Sequence, residues 1–165
     1  MNEDRVGPLR PRLTTPDQWR EFLGVDFAAV TCEGCGHEPA THEQVDEAER
    51  RLEPRTPLPP SYRAFLTTTN GWDELGNWCG RALPAQEIQW AADLHPYLAD
   101  LYEDDEEYGP LLAAALTVND GEDLWLLDPR EVDADGEWAA YVFKPKYGDF
   151  DKAGSFSDLW HDNYG

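Results

Sequence analysis

Three cysteines and four histidines are the residues of this chain most able to hold a metal or act as nucleophiles. Cys32 and Cys35 form a Cys-x-x-Cys-Gly segment followed by His37, with His42 nearby and Cys79 far along the chain. That spacing is one half of a zinc knuckle, in which a tight turn brings two thiolates to one ion. A structural zinc takes four ligands, and the second Cys-x-x-Cys of such a site is missing. Cys32, Cys35, His37 and His42, or Cys79 in place of one histidine, would complete it. A redox disulfide calls for a βαβ pattern around the pair, and none is present. The favoured reading is two free thiols in a surface loop, with no metal and no cofactor bound.

Catalytic signals are lacking elsewhere. The chain has no Gly-rich phosphate loop, no G-x-S-x-G elbow and no H-E-x-x-H pair. His95 stands beside Pro96, and Cys79 lies between Trp78 and Gly80 without a linear histidine partner. Carboxylate pairs occur throughout so acidic a chain and therefore identify nothing. A protein that binds, not one that catalyses, is expected.

What it binds is bounded by charge. The formal net charge is −21, which repels nucleic acid and anionic membranes and excludes both as the main partner. No apolar run approaches the roughly 20 residues of a membrane span. The first residues lack the apolar stretch of a secretion signal, so a cytoplasmic location with reduced thiols is expected. From Ala82 to Pro129 there is no Lys or Arg, while the same span holds twelve acids. Its densest part sets Glu103, Asp104, Asp105, Glu106 and Glu107 between Tyr102 and Tyr108. Acids in that density attract a basic protein over a distance, and aromatic side chains among them are suited to hold it. These seven residues are the candidate partner-binding site; a plain solvated loop is the alternative.

The elements that must carry this site can be outlined from patterning. Residues 1–13 read as a flexible arm, and residues 14–165 as a single domain in which 14–40 form an N-terminal extension with a helix and the cysteine loop. Thr15-Pro16 opens that helix, whose apolar face is Trp19, Phe22 and Leu23, continued by Phe27 and Val30. Thr41 and Gln44 have capping-box spacing, and Val45, Ala48 and Leu52 follow at helical intervals. After a Pro-rich link a second helix carries Tyr62, Phe65 and Leu66 and is closed by Asn70-Gly71. Ala91 to Tyr102 reads as a helix with Leu94, Leu98 and Leu101 on one stripe. Leu111–Val118 and Asp123–Leu127 read as a hairpin around Asn119-Asp120-Gly121-Glu122. A third strand, Glu137–Phe143, follows the Asp133–Gly136 turn and completes a three-stranded meander. Ser155 and Asp158 cap a final helix holding Phe156, Leu159 and Trp160.

Several of these pieces, taken in order, resemble the SUKH superfamily, which includes fungal cell-wall-assembly regulators and many bacterial immunity proteins. Ala48-Glu49 with Leu52, Leu58-Pro59, Tyr62, Phe65-Leu66 and Asn70-Gly71-Trp72 match its core signature. Val118 to Trp125 with Leu127-Asp128, and Ser155 to Leu159, follow in the right order. A departure is Leu52-Glu53-Pro54, where a glycine usually follows the first helix. The resemblance covers roughly residues 40–162. It implies an α+β fold, a mostly antiparallel central sheet with helices packed around it. It also implies a non-catalytic role: an immunity protein that neutralises a toxin, or a regulatory or scaffolding module without one.

Overall fold

The computed structural model describes residues 11–23, 35–52, 57–76 and 78–164, and in it a five-stranded antiparallel sheet carries helices on both faces. Its strands are β1 (Gln89–Trp90), β2 (Leu116–Thr117), β3 (Leu124–Val132), β4 (Trp138–Lys144) and β5 (Asp149–Ala153), in that spatial order. The helices are α1 (Pro16–Leu23), α2 (His42–Arg51), α3 (Pro60–Leu66), α4 (Ala91–Leu94), α5 (Pro96–Leu101), α6 (Tyr108–Ala114) and α7 (Phe156–Tyr164). The α+β class and the antiparallel sheet expected from the sequence are what the structure has. None of the described helices is long and apolar enough to cross a membrane.

Side chains alternate across a strand, so β3 and β4 feed two cores. Trp125, Leu127, Trp138, Ala140 and Val142 join a large core with residues of α1, α2, α3 and α7. Leu124, Leu126, Ala139, Tyr141 and Phe143 face the other way, against Ala91, Leu111 and Leu112. The capping box of α2 forms as the spacing predicts: Gln44 N–H donates to Thr41 Oγ1 at 3.0 Å, and Thr41 N–H to Gln44 Oε1 at 2.9 Å. Tyr62, Phe65 and Leu66 are all buried. In β3 the register slips between Asp128 and Val132. Pro129, which has no N–H to give the ladder, sits in that bulge.

Several expectations need correction. Leu111–Ala114 is helix, not strand, and only Leu116–Thr117 pairs with β3. The segment 91–102 is two short helices broken at His95-Pro96, because proline cannot donate into a helix interior and clashes with the preceding turn. Leu101, expected on a buried stripe, is 58% exposed. Helix α3 ends at Leu66, before Asn70-Gly71. Asn70 instead bridges to the next segment, accepting from Ala85 N–H at 2.8 Å and donating to Gln86 Oε1 at 3.0 Å. The meander has five strands where three were expected. Residues 11–13 are tied down: Leu13 N–H donates to Ser157 Oγ at 2.9 Å, and Arg12 pairs with Asp133 at 2.7 Å. Residues 1–10, Phe27, Val30, Cys32 and Pro54 lie outside the described residues.

Candidate functional site

The acidic segment lies between α5 and α6, with Glu103, Asp104, Asp105, Glu106 and Glu107 all exposed. Two tyrosines fix it to the sheet. The Tyr102 and Tyr108 rings are half-buried and meet each other edge-on, 5.4 Å apart. Both pack on Phe143, with centroids at 5.4 Å and 5.2 Å, and Tyr108 also meets Phe150 at 5.1 Å. Tyr108 Oη donates to the Gly148 carbonyl at 2.6 Å, and burial raises the pKa of its phenol. These rings are thus largely committed to the domain itself.

The five acids are not equivalent. Asp105 Oδ1 accepts the backbone N–H groups of both Glu107 and Tyr108 at 2.8 Å, so it caps the first turn of α6. Glu103, Asp104, Glu106 and Glu107 make no ion pair among the described residues. The basic residues that bound the Lys-free and Arg-free span, Arg81 and Arg130, are held locally. Arg81 pairs with Glu87 and Asp120, each at 2.8 Å, and Arg130 with Asp128 at 2.9 Å. Beside the acids, α5 exposes Tyr97 and Leu101, four residues apart and therefore on one helix face. Sequence periodicity assigned Leu101 to the core, which hid this apolar pair.

The cysteine region offers less than its spacing suggested. Cys35 is buried and disulfide-bonded, which corrects the expectation of a free thiol there and removes its thiolate from the set of metal ligands. Its knuckle partner Cys32 lies outside the described residues. Among the described residues no three His, Cys, Asp or Glu side chains converge on a metal position. Cys79 is a buried thiol outside any disulfide, and burial pushes it up to about 11. Since the thiolate is the reactive form, native Cys79 is expected to be nearly inert to iodoacetamide at pH 8 and to label rapidly once the chain is denatured. Mass mapping of the Cys79 peptide before and after denaturation checks this.

The loop holding Cys79 also presents a tryptophan. All seven tryptophans are described; five are buried and Trp90 is half-buried, whereas Trp78 is 74% exposed. Its backbone is left-handed, with φ 66°, a conformation that costs a bulky residue about 1–3 kcal/mol and needs firm support. Support comes from within the loop and from the β2–β3 turn. Leu75 N–H donates to Gly80 O at 2.7 Å, Cys79 N–H to Gly76 O at 2.9 Å, and Asp123 N–H to Trp78 O at 3.1 Å. Asn119, fully buried, donates its amide to the carbonyls of Cys79 and Asp123, both at 2.8 Å, and accepts from Trp125 N–H at 2.8 Å. The loop is therefore pinned to the β2–β3 turn while its indole faces solvent. Asp73, Glu74, Trp78, Arg81 and Asp120 line a concavity of about 710 Å³ around it.

Strand register places both features at one end of the sheet. Leu124 pairs with Phe143, and Phe143 with Phe150. The β2–β3 turn under Trp78 and the β4–β5 turn that receives Tyr108 are thus neighbours, with the acidic segment over one face and the Trp78 loop over the other.

No curated protein and no solved structure matches the chain. The sequence profile of the SMI1 / KNR4 family (SUKH-1) matches residues 39–160, a span that takes in α2, α3, the whole sheet and the start of α7 but not α1. On the strength of that match over most of its length, the chain belongs to the SMI1 / KNR4 family (SUKH-1).

Proposed function

We propose that this chain is a non-catalytic binding protein of the immunity type, which neutralises a toxin by covering a basic, nuclease-like toxin domain. Family membership supports a protein partner. The observation that carries the charge of that partner is the exposed acidic run at Glu103, Asp104, Glu106 and Glu107, in a span from Ala82 to Pro129 without Lys or Arg. A toxin that cleaves nucleic acid holds its substrate in a basic cleft, and an acidic surface is drawn to such a cleft and occludes it. Nucleic acid and membranes are not partners in this reading. Its place is the cytoplasm, where such a toxin finds its substrate.

Binding kinetics with a basic, nuclease-type toxin domain, sought first among the products of neighbouring genes, test the proposal. Replacing Glu103, Asp104, Glu106 and Glu107 by Gln or Asn leaves the Asp105 cap in place. The variant is expected to associate about tenfold more slowly at low salt. The difference should fade toward 1 M salt, where charges are screened within about 3 Å. Equal rates at every salt concentration would remove the acidic run from the interface. Failure of the parent chain to bind or inhibit the toxin domain would leave the regulatory or scaffolding reading in its place.

A further inference from the structure

Trp78 is presented in a way that packing does not explain. Its backbone is held in a left-handed conformation by two hydrogen bonds within its own loop and by bonds to the β2–β3 turn, yet its side chain contributes little to either core and stands 74% exposed. The flat indole borders an open surface concavity whose charged lining is Asp73, Glu74, Arg81 and Asp120. Arg81 is occupied by Asp120 and Glu87. Asp73 touches His37, itself on the surface, and Glu74 makes no ion pair among the described residues. The concavity is therefore net acidic around an aromatic face. A cation is the ligand that satisfies both: carboxylates draw it in, and the electron-rich indole face binds it. Guanidinium is favoured over ammonium because it is planar, stacks on an aromatic face and can still donate to a carboxylate at its edge.

We propose that Trp78, with Asp73 and Glu74, forms a slot that takes an arginine side chain from the basic partner. The slot rests on the immunity reading for its partner, and it adds the anchor that the half-buried Tyr102 and Tyr108 rings are poorly placed to supply. Acids of the 103–107 run govern how fast the partner arrives; Trp78 governs how long it stays.

The first arm of the test needs no toxin. Acrylamide quenching of intrinsic fluorescence reports mainly Trp78, since the other six tryptophans are buried or half-buried. A short peptide carrying an arginine pair is expected to protect that fluorescence, and its neutral citrulline counterpart is not. The double variant Asp73→Asn, Glu74→Gln should lose the protection. Absence of protection, equal protection by citrulline, or protection retained in the double variant would each overturn the slot. The second arm uses the toxin domain. Trp78→Ala should speed dissociation roughly thirtyfold with little change in association, as removal of a central anchor does. Trp78→Phe keeps a ring and should restore much of the residence time, which a merely misfolded loop would not. Unchanged dissociation of Trp78→Ala overturns the slot while the immunity reading stands. A parent chain that takes the peptide but ignores the toxin domain overturns the immunity reading and upholds the slot.

Discussion

Phe65→Ala is expected to lower folding stability by about 3–5 kcal/mol. The ring is fully buried where three helices meet the sheet. It lies 5.1 Å from Trp19 of α1, 5.3 Å from Phe156 and 5.4 Å from Trp160 of α7. Trp19 is locked by the bond from its indole N–H to Ser61 O at 3.0 Å, and the three rings pack against one another. They cannot close over the void together, and a void that cannot collapse is the costly kind. Domains are stable by only about 5–15 kcal/mol in all, so this one side chain accounts for a large share. Urea denaturation measures it; a loss under about 1 kcal/mol would mean that α3 is not seated as described.

The second large effect is expected at Gly121. An added Cβ there would lie 2.1 Å from the Cys79 carbonyl carbon and 2.4 Å from the carbonyl oxygens of Cys79 and Trp78. All three atoms are backbone, so no side chain can swing aside and the loop itself must move. Gly121→Ala should therefore cost toward the upper end of the 1–3 kcal/mol that overpacking typically costs, roughly 3 kcal/mol. It should also unseat Trp78. Gly76→Ala is the matched control, because a Cβ there meets nothing within 4 Å and only the positive φ of 76° opposes it. Its cost should be about 1–2 kcal/mol. Denaturation curves together with acrylamide access to Trp78 separate the two. Parental stability in Gly121→Ala would mean that the two loops do not approach as closely as this.

How much of this could be read from the sequence follows from how local each signal is. The Thr41–Gln44 box, the buried stripe of α3 and the Ser155–Asp158 cap depend on residues three or four apart, and all form. Helix α6 escaped because Leu111–Ala115 is an unbroken apolar run, whose periodicity does not distinguish a buried strand from a buried helix. Pro110 sits in the first turn of α6, where proline is well tolerated. Strand β5 escaped because Asp149-Phe150-Asp151-Lys152 is polar on an edge, where charge is common. The acidic run was visible as composition, but the capping role of Asp105 and the packing of Tyr102 and Tyr108 depend on segments distant in the chain. Trp78 carried no local signal. Its exposure is decided by Asn119 and Gly121, about forty residues away.

The shape of the 75–80 loop is set by backbone bonds and by residues of the β2–β3 turn, while the side chain at position 78 touches little of the domain. Exchanging that side chain disturbs folding only through the preference of each residue type for positive φ, which is mild for Asn and severe for Val or Ile. If the proposed slot operates, single substitutions at position 78 change what it takes without compensating changes in the core. Under that proposal, recognition and foldability rest on separate residues.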